Sequence, residues 1–309
     1  MDLSTISPTL LIASLIVAST PILLAALGEM VVEKSGVLNL GVEGMMIIGA
    51  ITGFIAGVET GSPWAGFAVA AIGGALMALL FGVLTQVLLS NQVATGLALT
   101  LFGLGLSSLL GQGYVGIKAE SLGRLDLGPL SDLPFVGRVL FGHDPIVYLS
   151  IALVAATWAF LKFTRAGLIL RAVGESHDAA HALGYDVVKV RLAAIAFGGA
   201  LAGLGGAYLS LVRVPQWADG MTAGAGWIAL AIVVFASWKP ARVLVGAYLF
   251  GGITVLQLNL QTAGATIPVE LLSAAPYLVT ILVLVLISTR AGRGGDAPAD
   301  LGKPFHASG

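Results

Sequence analysis

Apolar residues occur along this chain in blocks about 20 residues long, divided by short polar or glycine-rich intervals. Blocks of that length cross a hydrocarbon core of about 30 Å as helices. An open strand would leave backbone groups unpaired in lipid, and no barrel-like alternation is present, so helix is the expected state throughout. The blocks fall at about 8–28, 40–57, 64–89, 94–112, 145–162, 190–212, 225–237, 242–262 and 270–289. The pattern predicts an all-α polytopic membrane protein of about nine transmembrane helices. They form one membrane domain over residues 1–290, followed by a tail, 291–309, whose composition predicts disorder. The opening "MDLSTISPTLLIASLIVAST" has no basic flank before its apolar run and reads as a retained span, not a cleaved signal.

Two places depart from plain apolar blocks. The seventh block holds only about 13 residues, roughly 20 Å as helix, and follows "RVPQWADGMTAGAG". Pro215, Gly220, Gly224 and Gly226 predict a broken span there, with irregular backbone lining a protein-enclosed cavity. The stretch "GEMVVEKSGVLNLGVEGMM", residues 28–46, has the same character, with Gly36, Gly41 and Gly44 between the first two blocks. The two junctions run in opposite senses across the membrane. Two broken helices related by an inverted repeat are therefore expected, blocks one to four matching six to nine, as in transporters that place a solute site between discontinuous helices. Sequence similarity between the halves is weak, with the tetrapeptide "GGAL" at 73 and again at 198.

Polar side chains at the breaks are the candidates for a translocation path. Glu29 and Glu33 share a helical face, as do Asn39 and Glu43. Ionisable groups at membrane depth pair with one another or line water. A plainer reading puts Glu33 and Lys34 at a water boundary and makes Asn39 the cap of the second span. At the second break, Trp217 or Trp227 can stack on a flat apolar solute with Gln216 as polar partner, although tryptophans near membrane boundaries also serve as anchors.

Composition narrows the class. Only 10% of the 309 residues are charged and 57% are hydrophobic, against roughly 25% charged in soluble domains. The abundant glycine suits close helix packing in lipid. With a net charge of −1 and no basic block interleaved with aromatics, nucleic acid is not expected as a partner. Absence of cysteine excludes disulfides, thiolate catalysis and Cys-based metal sites. Lysine and arginine set the orientation. With residues 163–190 in the cytoplasm, that side collects eleven of them and the other keeps only Lys118, Arg124, Arg138 and Arg213. The N-terminus is then outside and the C-terminus inside. The outer loop 112–145, mixed in charge and rich in Gly and Pro, is either a solvated connector or a docking surface.

The inner segment 163–190 is more defined than a connector requires. Ser176 can cap a short helix with Asp178 in its first turn, Gly184 is a natural left-handed stop, and Asp186 can cap the next helix. Within it "DAAHALG", Asp178 to Gly184, resembles the cytoplasmic EAA-type loop of ABC importer permeases, with Asp in place of Glu. "TPILLAALGEMVVEKSGVLNLGVEGMMIIGA" resembles the N-terminal signature of the branched-chain amino acid, ribose and nucleoside permease superfamily. It is most similar to the nucleoside and simple-sugar subgroup, as are "NQVATGLALTLFGLGLSS" and "FASWKPARVLVGAYLFGG".

The resemblance implies a permease subunit of a bacterial or archaeal cell membrane, carrying nucleosides or related small polar solutes, with simple sugars or branched-chain amino acids as alternatives. It implies a coupling helix, built on Ser176, Asp178, Ala179, Ala180 and Gly184, seated in a cleft of a cytoplasmic ABC ATPase. A second permease subunit and an extracytoplasmic substrate-binding lipoprotein are the other implied partners. The chain has no GxxxxGKS or GxxxxGKT phosphate loop, so ATP and Mg are expected on the ATPase and no cofactor on this chain. No catalytic or metal residues are assigned. "HDAAH" imitates the zinc-protease HExxH, but Asp is a shorter base and no third ligand is evident. The rival from another class is a proton-coupled secondary transporter with Glu29, Glu33 or Glu43 as proton carriers.

Overall fold

A computed structural model describes residues 8–125, 128, 137–262, 274, 278, 281, 282, 285 and 297–306. Its main helices are α1 (Pro8–Lys34), α2 (Val42–Thr60), α3 (Pro63–Gly82), α4 (Gln92–Gly111), α5 (Pro145–Phe163), α6 (Arg165–Glu175), α7 (His177–Ala182), α8 (Val187–Tyr208), α9 (Ala225–Phe235) and α10 (Pro240–Thr262). Wider π-type turns extend α3 through Val83–Val87 and α8 through Leu209–Arg213. Among the described residues, seven helices are long and apolar enough to cross a membrane, and α9 is a shorter apolar one. The nine expected crossings thus become seven long helices and one short; most of the ninth, 270–289, lies outside the described residues.

The first block was expected to end near residue 28, but α1 continues to Lys34 and the break shifts to Ser35–Gly41. Gly28 marks a close approach instead of a stop: a Cβ there would sit 2.7 Å from the Gly198 carbonyl of α8. Such contacts recur along α8, which packs on α1, α2 and α3. Gly203 abuts Gly49 of α2, and Gly206 lies against the Met46 carbonyl. In lipid, helix association depends on this close packing and not on the exclusion of water. The two "GGAL" pieces meet here, Gly74 of α3 against Gly199 of α8. Their similarity is that of two surfaces in contact, since α3 and α8 are the third and first spans of their respective halves. Leu76, Leu101 and Leu109, at 62%, 72% and 63% exposure, form outward faces suited to lipid.

At the end of the bundle opposite α7, residues 115–119 run beside 215–217 through two isolated bridges, Val115 to Trp217 and Lys118 to Gln216. Tyr208 of α8 donates to Asp144 Oδ2 at 2.7 Å, while Asp144 Oδ1 accepts from the Ile146 and Val147 amides and caps α5. Of the tail 291–309, expected to be disordered, the described part, 297–306, is docked at the α7 end. Phe305 is 7% exposed in a cluster with Val173, Ala180 and Val187. Phe305 buries its ring there, and hydrogen bonds linking Asp300 to Gly174 and His177, Gly302 to Gly36 and Lys303 to Arg191 hold the rest of the segment.

Candidate translocation junction and coupling surface

The first break folds back beside α1. Asn39 donates to both oxygens of Glu29, from its backbone N and from Nδ2, each at 3.3 Å, and its Oδ1 accepts from the Gly41 amide at 2.9 Å. Asn39 therefore closes a turn before α2 and does not cap it; Gly41 occupies the cap position. Leu38 N donates to Gln92 Oε1 at 2.8 Å, tying the break to the start of α4. One turn along α1, Glu33 accepts a short hydrogen bond from Trp238 Nε1, in the link between α9 and α10. Glu29, Glu33, Asn39 and Glu43 are all buried, at 1–4% exposure.

Glu43 joins the two breaks. It sits in the first turn of α2, and its carboxylate accepts from Thr222 Oγ1 at 2.5 Å, Gly224 N at 2.9 Å and Gly226 N at 2.7 Å. These donors include the start of α9, whose opening amides have no partner within the helix. One negative group thus complements the positive ends of two helices. Gly224 turns the chain at φ +84°, and Gly226, where a Cβ would strike the Glu43 backbone, allows the close approach. The two breaks predicted separately in sequence are thereby brought into contact.

The remaining path candidates separate. Trp217 is 4% exposed and packed against Gly111, whereas Gln216 is exposed and Trp227 is 38% exposed on α9. A cavity of about 720 Å³ lies at the loop end, lined by Ser14, Val17, Arg124, Asp144, Arg213 and Asn259 among others. None of the candidates from the two breaks lines it.

At the other end, α7 is set by its own sequence. Ser176 Oγ accepts from Ala179 N at 3.3 Å, Gly184 turns the chain at φ +87°, and Asp186 Oδ1 accepts from Lys189 N at 3.0 Å to start α8. The Asp186 carboxyl lies below its usual pKa, held there by the Lys189 amide and ammonium. Asp178, Ala179, His181, Ala182 and Leu183 face solvent, while His177 and Ala180 face inward. Beneath them Arg191, fully buried, donates to Ser35 O, Gln86 Oε1 and Lys303 O, each at 3.2 Å, and lies 3.4 Å from His177 Nδ1. His177 and His181 both pack edge-on against Phe305, and among the described residues no three His, Asp or Glu side chains converge as metal ligands.

The family model for the branched-chain amino acid transport system permease component matches residues 11–288. The chain belongs to this ABC permease family. The permease is 42% identical over 289 residues to a putative glucose ABC transporter permease of Haloferax volcanii, covering 86% of this chain and 88% of that one. It is 32% identical to a nucleoside ABC transporter permease of Lactococcus lactis subsp. cremoris, covering 91% and 93%. It is similar to two guanosine ABC transporter permeases of Bacillus subtilis, at 32% identity over 99% and 98% of the chains and at 24% over 89% and 80%. No solved structure matches it.

Sequence reasoning about the permease missed Arg191, Gln86, Trp238 and Thr222. Arg191 entered only as one positive charge among eleven. The available signal was its place inside an apolar block, where a buried guanidinium needs several acceptors. Thr222 and Trp238 gave no signal, because each acts on a carboxylate more than 170 residues away in the chain.

Proposed function

We propose that this chain is one membrane-spanning subunit of an ATP-driven importer for nucleosides or related small polar solutes. The observation that carries the reading is the pairing of a family match along nearly the whole chain with α7, a two-turn helix fixed at both ends and turned outward. In this reading the α7 end is cytoplasmic, Asp178, Ala179 and Gly184 belong to the coupling surface, and a separate ABC ATPase binds ATP and Mg there. Ser176 and Ala180 support that surface from within. The loop end receives an extracytoplasmic binding lipoprotein. The similarity to both guanosine permeases of one organism supports a second, distinct permease subunit completing the path.

Glu29, Asn39 and Glu43 shape the wall of the path by holding the two breaks together; their internal hydrogen bonds favour this over a proton-carrying role. Trp227 and Gln216, exposed near the second break, are the side chains left to meet solute. An inverted repeat accounts for the paired breaks, each leading into a helix start and both meeting at Glu43. Simple sugars are the second reading, favoured by the 42% identity to a glucose permease.

The test is uptake by the complex, reconstituted with its ATPase, second permease and binding protein, of labelled guanosine, uridine, glucose and leucine. Nucleoside uptake is expected, competed by other nucleosides. Glucose uptake without nucleoside uptake transfers the assignment to sugars.

A further inference from the structure

The tail and the candidate coupling helix form one packed unit, which nothing in the importer reading requires. Phe305 fills the small cluster of Val173, Ala180 and Val187, and its ring meets His177 and His181 at centroid distances of 5.4 and 5.2 Å. The Asp300 carboxylate accepts from the His177 amide at 2.9 Å and lies 2.8 Å from His177 Nδ1, while Asp300 N donates to Gly174 O at 3.0 Å. The same segment also reaches the first break. Gly302 N donates to Gly36 O at 3.0 Å, and Lys303 O accepts from Arg191. Arg191 closes the circuit by donating to Ser35 O. One short stretch of tail thus holds α7 on one side and the α1–α2 junction on the other.

We propose that residues 297–306 are a strap that positions α7 against the first break, so that movement of α7 by the ATPase is delivered to Ser35–Gly41 through Asp300, Phe305 and Arg191. The proposal rests on the importer reading above. Within the helical body α7 packs mainly on α6 and α8, and it is too short to carry a displacement on its own. Coupling between separated sites runs through contiguous packed and hydrogen-bonded groups that move together. The helical body already meets the break at Gly174, against Lys34 and Gly36, and through Arg191, and the strap adds a connection that starts on α7 itself, at His177, and ends on Gly36. One anchor of the strap is the Asp300 carboxyl. Burial opposes ionisation of this carboxyl, but the His177 amide, the Lys303 ammonium and the His177 ring outweigh it and hold its pKa below the usual value. A carboxyl so depressed contributes fully above its unfolded pKa of about 3.9 and loses its contribution only as pH falls through the lowered value.

The experiment measures ATP hydrolysis and uptake together in the reconstituted complex, for the full chain, a chain ending at residue 296, Phe305→Ala, Asp300→Asn, and Phe305→Tyr as the conservative control. The strap predicts that the truncated and Phe305→Ala complexes still assemble and hydrolyse ATP. Solute moved per ATP should fall about fivefold or more, the lower range of coupling between sites, with partial recovery in Phe305→Tyr. A fall of hydrolysis and uptake in the same proportion would mark the tail as a structural cap and overturn the proposal, as would an unchanged ratio. Should truncation prevent assembly, the ratio in Asp300→Asn decides by the same criterion. A full-length complex whose uptake ignores ATP refutes the importer reading itself, and the strap's coupling role with it.

Discussion

Glu43 joins the two breaks through a single carboxylate. Three donors from the second break converge on it, and charge-assisted bonds of this kind contribute roughly 1.5–3 kcal/mol each. Glu43→Ala leaves two amides and a hydroxyl without their acceptor. A loss of about 3 kcal/mol or more is expected, since each orphaned group costs about 1–3 kcal/mol. Glu33→Gln keeps an oxygen for the Trp238 indole and should cost about 1 kcal/mol, the difference between a charged and a neutral acceptor in one hydrogen bond. Thermal unfolding of the purified chain measures both; equal losses would show that Glu43 is not the clamp. The sequence displayed Glu29, Asn39 and Glu43 as anomalies because charge is rare in this chain. It could not display their partners: the rule that buried polar groups must pair names no residue, and Thr222 lies in the other break, far along the chain.

At the scale of elements, glycine decides which helices touch. A Cβ at Gly206 would collide with the Met46 carbonyl of α2, whereas one at Gly105 on α4 meets nothing within 4 Å. Gly206→Ala should therefore destabilise the permease by about 1–3 kcal/mol, the usual cost of overpacking. Gly105→Ala should be neutral or stabilising by up to about 1 kcal/mol through helix propensity. Thermal unfolding in the same detergent separates the two, and similar behaviour would contradict the packing described for α8. Most helix positions were legible within a few residues, since length and hydropathy fix a lipid-crossing helix. The α7 boundaries were legible for another reason, because Ser176, Gly184 and Asp186 act within their own turns. The end of α1 was not: Gly28 looks the same in sequence whether it stops a helix or admits a neighbour.

For the whole molecule, two ends and one junction make up the account. The α7 end combines a capped helix, a buried arginine and a docked tail; the junction joins two broken spans through one carboxylate; the loop end holds a cavity of about 720 Å³. The tail escaped sequence reasoning because its average composition is that of a disordered segment, and the average conceals Phe305. The central claim is that solute moves along this path at the expense of ATP hydrolysed by another subunit. It is tested most directly in sealed vesicles holding the purified complex, with labelled guanosine outside and ATP supplied on the α7 side, before and after a protonophore collapses the proton gradient. The account predicts uptake that requires hydrolysable ATP and survives the protonophore. Uptake by this chain alone, driven by the proton gradient and indifferent to ATP, would contradict it.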